Sequence, residues 1–304
     1  MIRDLRDPDV PELTRLWREL RPDTAHSERG LRHLVASFPP RAQGAFWVVE
    51  DDGVVAWAMA HRRWWRATNS AYFWIGVVPR ARSRRLGGRL YDLAAEHLSS
   101  LGVERIQSDV VGDAAGERFL AGRGFVRTRT IVISAVDPRR VDGTELSERR
   151  RRAESAGYRL VPFADVDLER LHRLHLETSD DEPGDSEPHV LSFEEWWHEL
   201  LEQPDFTHEG SFVVVAGKEP LSYSALSVDL EGRRGRNEGT GTGRAHRRRG
   251  LASLAKLAQL RWAAENGVER VITDNDELNA PMLAINRRLG YEPFVERRVF
   301  VKEL

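Results

Sequence analysis

The residues Thr240–Ala252 read Thr-Gly-Thr-Gly-Arg-Ala-His-Arg-Arg-Arg-Gly-Leu-Ala, and they decide how the chain folds. A strand pattern precedes this stretch, and apolar residues recur at helical spacing from Leu251 to Trp262, so the stretch joins a strand to a helix. Small residues allow a ligand to approach the backbone closely, and the N–H groups of a helix N-terminus attract anions. The stretch therefore predicts a pyrophosphate-binding loop; the alternative is a solvated turn rich in arginine.

The chain contains an internal repeat. The segment Gly102–Ile106 recurs as Gly267–Val271, 165 residues later. The same offset relates Arg82 to Arg247, Leu86 to Leu251 and Leu90 to Ala255, and an offset of 166 relates Gly124-Phe125 to Gly290-Tyr291. Several ordered matches at nearly one offset predict a duplicated domain.

The repeat divides the chain into two domains. We expect an N-terminal domain at residues 1–140, a charged linker at 141–157 and a C-terminal domain at 158–304. The linker carries the run Arg149–Arg152, which taken alone resembles a nucleic-acid patch. Because glutamates flank this run, a solvated linker helix accounts for it better.

Each copy shows the same order of elements. A strand and a helix come first, followed by two apolar strands joined by a hairpin turn and by a further strand. The Gly/Arg-rich loop, a long helix, a strand, a second helix and a final strand complete the copy. This order predicts an α/β or α+β fold with a mixed sheet. The helix Phe193–Leu201 in the second copy is expected to pack in the core or at the rim of a cleft.

Two segments of the second copy resemble one protein family. Arg247–Ala252 resembles the Arg/Gln-x-x-Gly-x-Gly/Ala motif of the GCN5-related N-acetyltransferases (GNAT), and Asn279–Tyr291 is similar to the family's segment that ends in Leu-Gly-Phe/Tyr. The resemblance implies two tandem GNAT-like domains, each a mixed, mostly antiparallel sheet flanked by helices. It also implies that acetyl-CoA is the cosubstrate, with its pyrophosphate in the loop and its pantetheine arm beside the second segment. The implied acetyl-CoA contacts in this copy are Thr240, Thr242, Arg247, Arg248, Arg249, Gly250, Leu251, Ala252, Asn279 and Met282.

The first copy carries a degenerate form of the same loop. Its stretch Val78–Gly88 resembles the family motif, with Val78, Arg82, Gly87 and Gly88 as the candidate acetyl-CoA contacts. Arg85 replaces the first glycine of the motif. If that position needs a positive φ, Arg85 weakens binding; if it needs only an N–H group, the site survives. The two glycines are equally compatible with an ordinary loop.

The resemblance also indicates candidate catalytic residues. The family often uses a glutamate on the strand before the loop as the base, and Glu238 holds that position; the alternative is a carboxylate that faces solvent. Strand alternation predicts that Glu238 shares a face with Thr240 and Thr242. Asn286 stands where the family often has a tyrosine acid, so it can donate a hydrogen bond but no proton. The first copy lacks both groups, so we expect catalysis mainly in the C-terminal copy.

Composition excludes several classes of site. The chain has 304 residues, a formal net charge of −2 and no cysteine, so disulfides, thiolate nucleophiles and cysteine-ligated zinc are excluded. The ten histidines show no metal-binding pattern, and we expect no metal. The net charge argues against a nucleic-acid partner, and no apolar run is long enough for a membrane helix. The charged N-terminus is unlike a signal peptide, which favours a cytoplasmic protein.

The sequence therefore predicts an N-acetyltransferase that moves an acetyl group from acetyl-CoA to a small-molecule amine. An acidic stretch after the first helix of the second copy is compatible with a cationic acceptor, although a solvated loop explains it better. Its members are Glu177, Asp180, Asp181, Glu182, Asp185 and Glu187. Two alternatives remain: a non-catalytic protein of the same fold that binds or senses a CoA ester, and a nucleic-acid binder that uses the arginine clusters. The sequence predicts no oligomeric state.

Overall fold

The computed structural model describes residues 1–66, 68–179, 181 and 192–304. These residues form two compact units. The first unit contains Met1–Ile131 together with Val295–Leu304, and the second contains Val132–Phe294. The last residues of the chain, which the repeat assigns to the second copy, thus lie in the first unit.

The first unit is a mixed sheet with helices on both faces. Its strands are β1 (Ile2–Asp4), β2 (Ala45–Glu50), β3 (Val54–Arg62), β4 (Ser70–Val77) and β5 (Arg105–Val111), and its helices are α1 (Val10–Leu20), α2 (Glu28–Ala36), α3 (Leu86–Ser100) and α4 (Ala114–Ala121). The strands lie in the order β1-β2-β3-β4-β5, and all neighbours are antiparallel except β4 and β5. One face packs on α1, where Trp74 contacts Trp17, and the other packs on α3, where Phe73 contacts Tyr91.

The second unit repeats this arrangement. Its strands are β7 (Arg159–Pro162), β8 (Phe212–Ala216), β9 (Glu219–Asp229), β10 (Arg234–Thr242) and β11 (Arg270–Asp276), and its helices are α5 (Gly143–Ser155), α6 (Leu168–Ser179), α7 (Phe193–Trp196), α8 (Leu251–Glu265) and α9 (Ala280–Arg288). The order is β11-β10-β9-β8-β7, and only β10 and β11 are parallel. Tyr223 faces α6 through His175, and the next residue, Ser224, faces α8 through Gln259.

The boundary between the units falls inside two long strands. Strand β6 covers Val126–Val136, and strand β12 covers Glu292–Glu303. Within the first unit, β12 pairs antiparallel with β5 from Arg297 to Glu303. The final strand of the sequence therefore completes the sheet of the N-terminal unit, which a simple tandem repeat does not predict.

Two helices differ from the sequence-based expectation. The predicted helix Phe193–Leu201 is α-helical only to Trp196 and continues as a π-helical turn from Trp197. The charged linker does form a helix, α5, but its residues Leu146 and Ala153 pack in the same apolar clusters as residues of α8. In the parts of the chain that the structure describes, no helix is long and apolar enough to cross a membrane.

Candidate functional site

Strands β10 and β11 separate soon after they pair. Their parallel register covers only Arg234–Arg236 of β10 and Arg270–Ile272 of β11. Strand β10 then continues to Thr242 while bonded to β9 on its other side, and β11 continues to Asp276. We call the gap between Asn237–Thr242 of β10 and Thr273–Asp276 of β11 the split of the second unit. Within the described register, the strand edges that face this split have no strand partner. An extended ligand that carries amides can therefore pair with main-chain groups there.

A β-bulge lies at the narrow end of the split, next to the last paired residues of β10 and β11. The register of β10 on β9 shifts between Asn237 and Gly239, so Glu238 has no residue opposite it. The Oγ1 of Thr240 donates to the Oδ1 of Asn237 at 3.1 Å, which places Thr240 on the face of Asn237. The expectation that Glu238 shares this face is therefore wrong, because the bulge interrupts the alternation on which it depends. Glu238 instead pairs with Arg236, two residues earlier on its own face.

The start of α8 forms the far end of the site. Gly250 precedes the helix with φ 78° and ψ 8°, and no side chain caps the helix. The first N–H groups of an α-helix have no intrahelical partner, so those that begin at Leu251 are free to bind an anion. A Cβ atom at Gly250 would lie 3.8 Å from the Nη1 of Arg149 on α5. The sequence did not indicate Arg149, since its position depends on how α5 packs against α8.

The arginines of the loop are held largely by the protein itself. Arg244 and Arg247 both contact the carboxylate of Asp181, and their hydrogen bonds lower its pKa to about 2. The Nε of Arg247 also donates to the main-chain oxygen of Thr242 at 3.1 Å. Arg249 donates to the hydroxyl of Tyr158 at 2.8 Å. These arginines shape the loop, and the uncapped start of α8 offers main-chain N–H groups to an anion.

The acidic stretch of the sequence is only partly described. Glu177 accepts a hydrogen bond from the main-chain N–H of Arg244 at 2.7 Å, and Asp181 pairs with the same arginine. These two carboxylates therefore hold the loop in place. Four other members of the stretch lie outside the described residues, namely Asp180, Glu182, Asp185 and Glu187.

The second predicted segment lies beside β11. The Oδ1 of Asn279 caps α9 by accepting from the main-chain N–H of Met282 at 3.3 Å. Asn286 is buried and donates through Nδ2 to the Oδ1 of Asn275 at 2.6 Å, in the part of β11 that has left β10. The Oδ1 of Asn286 is buried with no hydrogen-bond partner among the described residues. A donor from a bound ligand would satisfy it.

Several predicted contacts have side chains that point into the protein. The hydroxyls of Thr240 and Thr242 contact the Oγ atoms of Ser224 and Ser222, and Leu251 is buried in the core. Leu251 can therefore offer a ligand only its main chain, and the two hydroxyls are already engaged with serines. Arg248, the remaining predicted contact of this loop besides Ala252, is exposed and has φ 62°.

The split also contains a buried lysine that the sequence analysis missed. Lys256 on α8 is fully buried, and its Nζ donates to the Oδ1 of Asn237 at 3.1 Å. The same oxygen accepts from Thr240 and, at 3.3 Å, from Thr273 on β11. Burial lowers the pKa of Lys256 to about 7, although Asp274 acts in the opposite direction. A sequence signal for this buried lysine was available. Lys256 and Gln259 are polar residues three positions apart on a helix rich in leucine and alanine.

The first unit has a split of the same kind. Strands β4 and β5 pair only over Ser70–Tyr72 and Arg105–Gln107, and the pairing of β3 with β4 has no bulge. Arg85 precedes α3 with φ 61°, a left-handed conformation that disfavours any residue other than glycine. The predicted position of the loop glycine does therefore require a positive φ, and Arg85 adopts it under strain.

The remaining candidates of the first unit are placed as the repeat predicts. The Nε of Arg82 donates to the main-chain oxygen of Val77 at 3.3 Å, as Arg247 does to Thr242. Val78 is buried, and Gly87 and Gly88 lie in the first turn of α3.

A buried ionic network lies at the narrow end of this first split. Arg21 pairs with Asp23 at 2.9 Å and with Asp109 of β5 at 3.4 Å, and the Tyr72 hydroxyl donates to Asp109 at 2.7 Å. Arg297 of β12 also reaches Asp23 at 2.9 Å. Burial raises the pKa of Tyr72, so this phenol stays protonated and acts as a donor. These charged groups pair with one another, and the Oδ1 of Asp109, 3.4 Å from Arg21, has no hydrogen-bond partner among the described residues.

Comparison with known families finds one family in both copies of the repeat. The sequence model of the acetyltransferase (GNAT) family matches residues 10–125 and 168–291, one match in each copy. The chain belongs to the GNAT acetyltransferase family. The resemblance and the fold class predicted from the sequence are thereby confirmed. No curated protein matches the chain by sequence.

Solved structures of GNAT proteins share this fold. A tandem GNAT protein from the clavulanic acid biosynthesis pathway is 20% identical with a TM-score of 0.75, over 100% of this chain and 98% of that one. A GCN5-related N-acetyltransferase from Sphaerobacter thermophilus is 17% identical with a TM-score of 0.70, over 100% and 95% of the two chains. One from Kribbella flavida is 14% identical with a TM-score of 0.52, over 96% and 95%. At these identities the likeness shows the fold alone.

Membership of this family supports acetyl transfer in general, and the second split fits an acyl-CoA. The free N–H groups at the start of α8, with Arg149 beside them, suit a pyrophosphate. The unpaired edges of β10 and β11 suit an arm that contains amides, and the Oδ1 of Asn286 lacks a donor. No group of three or more metal-ligating side chains occurs among the described residues.

Proposed function

We propose that the chain is an acetyl-CoA-dependent N-acetyltransferase that acts on a small-molecule amine, with catalysis mainly in the second unit. The observation that carries this proposal is the coincidence of three features in one split. A free helix end follows Gly250, a bulge lies at Glu238, and polar side chains surround Asn237. In the first unit α3 also begins without a side-chain cap, but Arg85 replaces the glycine, β4 has no bulge and Phe73 stands at the position of Asn237.

Binding of acetyl-CoA would use main-chain groups more than side chains. The N–H groups from Leu251 onward and the guanidinium of Arg149 would hold the pyrophosphate. The edges of Gly239–Thr242 and of β11 would pair with the amides of the pantetheine arm, as an added strand does. Asn286 would accept one further hydrogen bond through its free Oδ1.

Acetyl transfer requires a neutral amine and a stabilised oxyanion. The bulge leaves Glu238 without a partner residue on β9, so main-chain groups there are available to donate to the thioester oxygen. Glu238 is the candidate proton acceptor for the amine, directly or through water. Its partner Arg236 also contacts Asp274 at 3.0 Å, so one guanidinium positions two carboxylates at the narrow end of the split.

Two measurements test this proposal together. Calorimetry with CoA is expected to show one strong site per chain, and thiol release from acetyl-CoA in the presence of a library of small amines is expected to identify an acceptor. Strong binding with no thiol release for any amine would favour the alternative, a CoA-ester-binding sensor. Equal occupancy of both units, with turnover that survives loss of the Gly250 loop, would contradict the assignment of catalysis to the second unit.

A further inference from the structure

The two units place different chemistry at equivalent positions. In the parallel pairs, Ser70 lies opposite Arg105 and Arg234 lies opposite Arg270, and the repeat relates Arg105 to Arg270 at an offset of 165. Strand β10 is therefore equivalent to β4 at an offset of 164 before the bulge and of 165 after it. Helices α3 and α8 begin and end 165 residues apart.

In this alignment, an apolar cluster of the first unit corresponds to a polar cluster of the second. The first unit fills the space between its sheet and α3 mainly with apolar and aromatic side chains. The second unit fills the equivalent space with hydrogen-bonding groups around an ammonium. The equivalent pairs are Phe73 and Asn237, Ile75 and Thr240, Tyr91 and Lys256, Ala94 and Gln259, and Phe125 and Tyr291.

The fold does not need the polar version, because the first unit is built without it. Burying a cation is costly unless it is paired, and Lys256 has no carboxylate within ion-pair distance in the described structure. Asp274 on β11 acts on it only from a distance, and the ring of Tyr291 lies 5.1 Å from its Nζ. A group with this cost and no structural need is a candidate for chemistry.

Lys256 lies where the reactive end of a bound thioester would be. Its acceptor Asn237 and the neighbouring Thr273 are the first residues of β10 and β11 beyond their last paired residues. From Asn237 to the loop after Thr242, the strand spans roughly 15 Å at about 3.3 Å per residue. With the pyrophosphate at the loop, an extended arm along this edge brings its sulfur to the narrow end of the split.

We infer that Lys256 is the proton donor for the CoA thiolate that leaves at the narrow end of the split. This inference rests on the proposed function. The amine nitrogen attacks the thioester carbon, a C–N bond forms, and the C–S bond breaks with its electron pair on sulfur. Lys256 gives one proton to that sulfur and becomes a neutral amine, while the attacking nitrogen loses one proton to Glu238 or water. Lys256 regains a proton from solvent after the products leave.

The acidity of Lys256 suits this role. An alkyl thiol has a pKa of about 8.5, and an ordinary lysine has one of about 10.4, so an ordinary lysine would hold its proton. Burial lowers the pKa of Lys256 to about 7, which makes transfer to the thiolate favourable. Asp274 and Tyr291 are the ionisable groups that face it from β11 and from the turn after α9, and its partners on β10 and α8 are neutral.

The test uses free CoA, so it needs no acceptor amine. The ultraviolet absorbance of the thiolate is followed against pH for CoA bound to the full-length wild-type protein and to Lys256→Met. Lys256 and the thiol titrate as a coupled pair, so in the wild type part of the thiolate is expected to form near pH 7, below the ordinary thiol range. Lys256→Met is expected to bind CoA with an ordinary thiol pKa. Tyr91→Phe, at the equivalent position of the first unit, is the matched control and is expected to titrate like the wild type.

Each outcome decides between the two proposals. A wild-type thiolate that forms only in the ordinary thiol range, or a fraction near pH 7 that Lys256→Met retains, would overturn the role of Lys256 while the proposed function stands. Absence of CoA binding by the wild type would overturn both. Calorimetry with acetyl-CoA and thermal unfolding show whether Lys256→Met is folded and competent to bind. If that variant does not fold, a wild-type thiolate that forms only in the ordinary thiol range still overturns the role of Lys256.

Discussion

The two splits have the same backbone arrangement, but different side chains fill the space beside them. In the first unit, the space between the sheet and α3 is apolar, and the charged groups Arg21 and Asp109 form an ion pair at the narrow end. In the second unit, the equivalent space holds Lys256, and the Oδ1 of Asn286 has no partner among the described residues. The charges of the first split are paired with opposite charges, whereas the buried lysine of the second split has no carboxylate at ion-pair distance in the described structure. Under the proposed function, the first unit serves as a scaffold and the second contains the site.

The largest expected effect is the change in the free energy of unfolding when Lys256 is replaced. Its pKa is about 7 in the folded protein against 10.5 for an ordinary lysine, so the unfolded state binds more protons between these values. The free energy of unfolding of the wild type therefore rises as pH increases from about 7 to 10.5. Below pH 7 the full cost of burying Lys256 applies. Lys256→Met removes this titration and is expected to stabilise the protein near neutral pH by on the order of 4 kcal/mol.

Denaturant unfolding of the wild type and of Lys256→Met across this pH range checks the prediction. The difference in unfolding free energy is expected to narrow as pH rises and to vanish above the pKa of an ordinary lysine. The Oδ1 of Asn237 keeps its bonds from Thr240 and Thr273 in the variant, so no acceptor is orphaned. A constant difference at all pH values would mean that Lys256 is protonated in the folded protein throughout.

The next largest expected effect is a loss of turnover when Glu238 is replaced. Glu238→Gln keeps the shape of the side chain and removes the proton acceptor, and it weakens the contact with Arg236. We expect turnover to fall about 10²-fold or more with little change in the affinity for CoA. Steady-state kinetics on the identified amine, with calorimetry for CoA, measure both quantities. Full turnover at every pH would show that the base is another group or that positioning alone suffices.

The sequence predicts the parts of this site that depend on local pattern. The loop Thr240–Ala252, the helix after it and the repeat offset follow from spacing, and the structure places them as expected. The bulge at Glu238 could not be predicted, because it becomes visible only when the register on two neighbouring strands is compared. The role of β12 in the first unit was missed for a related reason: strand pairing over a long sequence separation leaves no local signal.

A smaller effect is expected on CoA affinity, through the loop glycine. Gly250→Asp introduces a carboxylate at the free end of α8, where a pyrophosphate would bind, and at a φ of 78°. Repulsion and the loss of close approach are expected to weaken CoA binding on the order of tenfold to hundredfold, or about 1.4–2.7 kcal/mol. Arg85→Asp in the first unit is the matched control and is expected to leave the affinity unchanged. Calorimetry that gives equal losses for both variants would locate the pyrophosphate elsewhere.

The smallest effect tests whether Arg85 alone separates the two units. Arg85 adopts φ 61°, which costs an ordinary residue roughly 1–2 kcal/mol, whereas glycine adopts it freely but loses more entropy on folding. Arg85→Gly is therefore expected to stabilise the protein by only about 0.5–1 kcal/mol, visible as a small rise in the denaturant midpoint. It is expected to leave the number of CoA sites per chain unchanged, because Phe73 and Tyr91 still occupy the positions of Asn237 and Lys256. A second CoA site in calorimetry would show that the loop glycine controls binding, and that the polar cluster serves chemistry without being needed to hold the ligand.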